Sequence, residues 1–88
     1  MVYVIKSDNR KEDFDREKVR RGIERAAERI KELNKDKAKE IADRIAKDVE
    51  ESFRDKDEVK SSDIRDTVLD RLEARDKRIA QEFRNFRK

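Results

Sequence analysis

The sequence predicts an α+β fold that is mostly helical, a four-helix bundle capped by a small N-terminal hairpin. Apolar residues recur at helical spacing from Val19 to the C-terminus, and only the first fifteen residues lack this pattern. The chain has no proline, and Gly22 is its only glycine, so little interrupts the helices. Charged residues make up 56%, but the net charge of +3 is too small to indicate disorder. We therefore predict one compact domain spanning residues 1–88.

The hairpin is predicted over residues 1–15. An apolar run over residues 2–5 is interrupted at Asp8-Asn9, and an apolar residue returns at Phe14. Asp8-Asn9 suits a turn, because asparagine tolerates a positive φ nearly as well as glycine. Asp15 then suits the N-cap of a helix.

Two alanine-rich stripes predict the first two helices, at about residues 16–33 and 36–54. Asn34 is expected to close the first helix in the left-handed conformation, and Asn34 or Asp36 to cap the second. Small side chains would let the two helices approach closely. The stripes consist of Val19, Ile23, Ala26, Ala27, Ile30 and Leu33, then Ala38, Ile41, Ala42, Ile45, Ala46, Val49 and Phe53.

The last two helices are predicted at about residues 62–74 and 77–86. Ser61 or Ser62 is expected to cap the third helix, and Asp76 to restart the chain as the fourth. The four phenylalanine side chains are expected in the core rather than stacked on bases. They are Phe14, Phe53, Phe83 and Phe86.

Composition excludes several kinds of chemistry. The absence of cysteine and histidine removes disulfides, Cys/His zinc sites, thiol catalysis and imidazole catalysis. A single glycine cannot form a phosphate-binding glycine loop, and acidic pairs arise by chance at this charge density. We therefore expect neither an enzyme nor a metal site. No apolar run approaches the roughly 20 residues of a membrane span, and no signal-peptide pattern is found, so we expect a cytoplasmic location.

Positive charge is concentrated at the two ends of the chain. Residues 1–33 carry ten basic and eight acidic side chains, residues 34–58 seven and nine, and residues 59–88 nine and six. If the ends meet, they would attract an anion; the alternative is two solvated basic faces. Lys18, near a helix start, opposes the helix dipole. It indicates either a bound anion or an ion pair with Asp15 or Glu17.

Five segments carry a family pattern through almost the whole chain. They are Val4-Ile5-Lys6-Ser7-Asp8-Asn9 (family pattern V-x-K-R-D-G), the segment 12–19 from Glu12 to Val19, Ala26-Ala27, the segment 61–68 from Ser61 to Val68, and the segment 80–87 from Ala80 to Arg87. In this order and spacing they resemble the ATP-cone, a regulatory nucleotide-binding module of many ribonucleotide reductases and of the zinc-ribbon repressor of their genes. The resemblance implies four helices capped by a three-stranded sheet, with nucleotide between the sheet and the helix ends.

The resemblance also implies positions around the nucleoside. Val4 and Ile5 would flank the adenine. Glu12 and Asp15 would face its polar edge. Arg65 would lie near the ribose.

Other positions would contact the phosphates. Lys6 and Lys18 would hold them together with the basic terminus Arg87-Lys88. Ser61 would add a hydroxyl contact.

Three residues depart from the family pattern. Ser7 stands where the family usually has arginine, so one phosphate contact is missing. Asn9 replaces the turn glycine at little cost. Arg65 occupies a position where some members use histidine to distinguish ATP from dATP, which affects discrimination.

The first functional hypothesis is a module that binds ATP or dATP with Mg²⁺ and acts by contact with another protein or another copy of itself. The alternative is a degenerate cone that serves as a protein-interaction or structural domain without nucleotide. A third reading is nucleic-acid binding through Arg84, Arg87 and Lys88, which the interspersed acidic residues disfavour. No membrane contact is expected.

Overall fold

Three short strands and four helices make up the computed structural model, which describes residues 2–85. This arrangement confirms the predicted α+β, mostly helical class. Phe86, Arg87 and Lys88 lie outside the described residues. The elements are β1 (Tyr3–Ile5), β2 (Lys11–Asp13), α1 (Arg16–Glu28), α2 (Lys35–Ser52), β3 (Glu58–Lys60), α3 (Ser61–Arg75) and α4 (Lys77–Asn85).

The three strands form one sheet with β1 in the centre, in the order β2-β1-β3. Strand β1 pairs antiparallel with β2 and parallel with β3, so that Val4 lies opposite Glu12 on one side and Val59 on the other. The hairpin turn contains Asn9 at φ 69°, as its residue type predicts. Two backbone hydrogen bonds of 2.9 Å close the turn, one from the Lys6 N–H to the Arg10 carbonyl and one from the Asn9 N–H to the Lys6 carbonyl.

Helix α1 ends at Glu28, five residues before the predicted end at residue 33. The apolar stripe continues beyond this point because Ile30 and Leu33 still pack against the core from irregular backbone. Asn34 does not close α1 in the left-handed conformation, since its φ is −63°. It caps α2 instead, and its Oδ1 accepts the Asp36 N–H at 2.7 Å. Side-chain periodicity alone could not distinguish this turn from a further turn of helix.

The start of α3 also differs from the prediction. Neither Ser61 nor Ser62 caps it: the N-cap position is Lys60, whose side chain makes no capping hydrogen bond within the described chain. The reason is that β3 runs directly into the helix, so Ser61 is already its first helical residue. The start of α4 is as predicted, because Asp76 Oδ1 accepts the Arg78 N–H at 2.9 Å.

The core lies between the helices and is closed at one end by the sheet. Helix α1 packs against α2 and α4, and α3 packs against the same two helices. Burying a large aliphatic side chain contributes roughly 1.5–3 kcal/mol. Phe53 is buried, whereas Phe14 and Phe83 are partly buried against the core. The largest fully buried side chains are Ile23, Ile45, Val49, Val68, Leu72 and Ile79.

Candidate functional site

A cleft of about 230 Å³ opens where the hairpin meets the starts of α1 and α3 and the end of α4. Its position follows from strand alternation. Side chains two residues apart share a face of a strand, so Val4 and Lys6 lie on one face and Ile5 on the other. Glu12, opposite Val4 in the register, joins the first face. The sheet and the residue after β1 therefore contribute Val4, Lys6, Glu12 and Asp13 to the lining of the cleft.

The interior of the cleft is mainly apolar. Val4 and Val68 are buried there, at 8% and 1% exposure. Gly22, in the middle of α1, contributes backbone instead of a side chain. A Cβ added to Gly22 would lie 3.6 Å from Cε1 of Phe83 on α4, an ordinary van der Waals contact. The apolar side chains of the lining are Val4, Phe14, Val19, Ile64, Val68 and Phe83.

The rim of the cleft carries two lysines joined by one carboxylate. Lys18 Nζ lies 3.6 Å from Oε1 of Glu12, and Lys6 Nζ lies 3.8 Å from the same atom. The sequence left two explanations for Lys18, a bound anion or an ion pair with Asp15 or Glu17. Within residues 2–85, Lys18 forms no ion pair with either of these residues. The structure brings Lys18 to β2 and to the other lysine.

Asp15 begins α1 and also lines the cleft. Its Oδ1 accepts the Glu17 N–H at 2.9 Å, which confirms it as the N-cap. Asp13 lies beside it on the cleft wall. Two further acidic residues, Asp13 and Asp15, therefore line the same cleft as the two lysines.

Arg65 forms the side of the cleft between α3 and α4. Its guanidinium carbon lies 5.3 Å from the centroid of the Phe83 ring. Its Nη2 donates to the backbone carbonyl of Arg84 at 3.2 Å. Ser61, at the start of α3, lines the same side. Arg65 thus links the second turn of α3 to the last described turn of α4.

Arg20, on the same helix as Lys18, does not line the cleft. Arg20 lies against α2 and pairs with Glu17, Glu24 and Asp43 at 2.9, 3.0 and 3.7 Å. Its hydrogen bond to Glu17 holds the pKa of that carboxyl below its usual value, and the same bond raises the pKa of Arg20. Adjacent side chains on a helix do not face each other, so Lys18 points away from Glu17 and has Glu12 as its acidic partner.

The structure gathers seven of the residues expected at the site and separates one. Ile5 lies outside the cleft, because strand alternation turns it to the opposite face, where it lines a different cavity with Phe53 and Val59. Arg87 and Lys88 lie outside the described residues. The seven in the cleft are Val4, Lys6, Glu12, Asp15, Lys18, Ser61 and Arg65.

Sequence reasoning missed two features of the lining. Phe83 packs against the core, as predicted, but it also lines the cleft, and Gly22 was given no role at the site. The amphipathic stripes predict which face of α1 and which face of α4 point inward. They do not distinguish the residues that line a cleft from those that fill the core. A glycine inside a long helical pattern was the one available signal, because it costs stability there without helping the helix.

The fold and the cleft define a small module with an apolar pocket and a charged rim. The rim carries three basic side chains, of Lys6, Lys18 and Arg65, and three carboxylates, of Glu12, Asp13 and Asp15. Among residues 2–85, no group of three or more acidic side chains is placed to hold a metal ion. No helix in that same range is long and apolar enough to cross a membrane.

The chain matches the family model described as the ATP cone domain over residues 2–88. It therefore belongs to the ATP-cone family, whose members are nucleotide-binding regulatory modules rather than catalytic domains. A search of curated proteins finds no significant match.

Proposed function

We propose that this ATP-cone domain binds ATP or dATP in the cleft beside the sheet and transmits binding through contact with another protein or a second copy. The observation that carries the proposal is the meeting of Lys6 and Lys18 at the rim of an apolar cleft. ATP-cone domains bind ATP and dATP in general. The cleft offers apolar surface for the base and ammonium groups for the phosphates.

The base and ribose would occupy the apolar part of the cleft. Its volume of about 230 Å³ lies below the roughly 300–1,000 Å³ of pockets that enclose a whole drug-sized ligand. A nucleoside would therefore fill it and leave the phosphates at the rim. Val4 would contact the adenine, and the carboxylates of Glu12 and Asp15 would accept hydrogen bonds from its amino group. Arg65 would lie beside the ribose.

The phosphates would lie between Lys6 and Lys18, with a further contact from the hydroxyl of Ser61. Arg87 and Lys88 are proposed to add positive charge from the C-terminus. Mg²⁺ commonly binds through substrate phosphates with only one or two carboxylates, so the nucleotide itself would supply most of its ligands.

A thermal-unfolding series with ATP and Mg²⁺ tests the proposal. Ligand at ~100 times its dissociation constant adds about 2.7 kcal/mol to stability. For a domain of this size that corresponds to a rise in Tm of roughly 10–20 °C. The double variant Lys6→Ala with Lys18→Ala should show a much smaller rise. No shift for the wild-type protein at millimolar ATP would contradict nucleotide binding.

The alternative function is protein interaction without nucleotide. Ser7, which stands in the place of the family's usual arginine, favours it, because one phosphate contact is lost. The partner contact of such a domain should be equally strong with and without ATP. A nucleotide-dependent change in association, lost in the double lysine variant, would exclude it.

Nucleic-acid binding has less support. Arg84, one of the three cations considered for it, already pairs with Glu73. Its backbone carbonyl also accepts from Arg65. Salt-dependent binding to a DNA duplex would be the observation that supports nucleic-acid binding.

A further inference from the structure

Glu12 sits at the junction of the two lysines on which phosphate binding is proposed to depend. Both ion pairs use the same oxygen, Oε1, at 3.6 Å from Lys18 Nζ and 3.8 Å from Lys6 Nζ. The carboxylate is partly shielded, with 33% of its side chain exposed, whereas Lys18 is 66% exposed. Glu12 is thus an internal anion placed between the two cations.

These contacts are longer than hydrogen bonds. They hold the two ammonium groups near one another, but through charge alone rather than through fixed geometry. Such partly exposed pairs contribute little stability and are easily exchanged for a stronger acceptor. A polyphosphate brings several negative charges to the same place. It must approach the carboxylate, whose repulsion opposes its binding.

We propose that Glu12 is a built-in counter-ion that weakens the binding of anions at this cleft. In the ligand-free protein it partly neutralises Lys6 and Lys18, so that a bare polyphosphate binds weakly. A nucleotide offsets the repulsion because its base fills the apolar part of the cleft, where Val4 lies, and offers donors to the released carboxylate. Glu12 would therefore make phosphate binding depend on the nucleoside. This inference rests on the proposed function.

The test uses inorganic tripolyphosphate, which has the charge of a nucleotide but no base. Calorimetric titrations at low ionic strength compare wild type with Glu12→Gln, which keeps the size of the side chain and removes its charge. We expect Glu12→Gln to bind tripolyphosphate at least about threefold more tightly. The preference for ATP over tripolyphosphate should fall by at least the same factor.

Glu58→Gln is the matched control. Glu58 is also a strand glutamate paired with a lysine, Lys11, at 2.9 Å, but it lies outside the lining of the cleft. This variant makes the same change in net charge and should leave tripolyphosphate binding as in wild type. Equal tightening in both variants would assign the effect to overall charge and overturn the proposal.

The remaining outcomes are also decisive. Unchanged or weaker binding of tripolyphosphate by Glu12→Gln, or no binding by either protein, contradicts the counter-ion role of Glu12. If wild type binds tripolyphosphate but not ATP, the proposed function fails, and the comparison with Glu12→Gln still decides the effect of its charge. Matching thermal-unfolding curves without ligand establish that both variants are folded.

Discussion

Gly22 on α1 faces Phe83 on α4 across the cleft, so closely that a Cβ at position 22 would contact the ring at 3.6 Å. Glycine inside a helix costs roughly 0.5–1 kcal/mol relative to alanine. The helix tolerates this cost at the position where the cleft needs room. The absence of a side chain at Gly22 therefore lowers the stability of α1 and leaves space for a ligand in the cleft.

Gly22→Ala should therefore stabilise the protein and weaken its ligand binding. The expected gain in the free energy of unfolding is about 0.5–1 kcal/mol, because 3.6 Å leaves space for a methyl group. The affinity for ATP should fall, since the methyl group occupies part of the cleft. Urea unfolding and titration with ATP measure the two effects. A destabilised variant would mean that Phe83 cannot accommodate the methyl group.

Ser7→Arg should strengthen nucleotide binding. The substitution restores the residue that is usual in the family and adds a charged donor next to Lys6. A hydrogen bond to a charged group contributes about 1.5–3 kcal/mol, so we expect ATP to bind at least roughly tenfold more tightly. Ser52→Arg, at an exposed serine on the end of α2, is the control for added charge. Equal gains in both variants, or none at position 7, would argue against a phosphate contact there.

Arg65→Ala should loosen the last turn of α4. The guanidinium stacks on Phe83 and donates to the carbonyl of Arg84, and both contacts disappear in the variant. We expect faster amide exchange around residues 81–85 and a lower Tm. Arg65→Lys keeps the charge but not the planar donor, so it should recover only part of the protection. Exchange rates like those of wild type in Arg65→Ala would show that the link between α3 and α4 is unimportant.

Stability should fall in acid through Asp76. Hydrogen bonds from the Arg78 side chain, with Nη2 2.9 Å from Oδ2, hold the pKa of Asp76 below its usual value. Because the folded-state pKa is the lower one, the contribution is complete above the unfolded value of about 3.9 and is lost as the pH falls through the folded value. Asp76→Asn keeps an N-cap side chain and removes this titration. Its unfolding free energy should vary less between about pH 5 and pH 2, and an unchanged slope would contradict this role.

Local chemistry allowed much of the fold to be predicted from the sequence. Asp15 and Asp76 start helices because their short carboxylates accept backbone N–H groups, and Asn9 takes the positive φ of the turn. The end of α1 could not be predicted in the same way. Ile30 and Leu33 continue the apolar stripe whether or not their backbone is helical, because packing against the core needs only their side chains.

The site was predictable where strand alternation or a helix start determines the position of a residue. Lys6 and Lys18 meet because β1 and the first turn of α1 border the same cleft. Ile5 lies on the opposite face of β1. A family pattern gives the order of residues along the chain and does not show which face of a strand each one occupies. Phe83 enters the lining only through the packing of α4 on α1, a long-range contact that a single helical stripe does not specify.

We propose that nucleotide binding in this cleft depends on Lys6 and Lys18. Calorimetric titration with ATP and dATP tests it most directly, with Lys11→Ala as the control, since that lysine pairs with Glu58 outside the cleft lining. We predict saturable binding in wild type and in Lys11→Ala, and its loss in the double variant Lys6→Ala with Lys18→Ala. Absence of binding in wild type, or equal binding by the double variant, would contradict it.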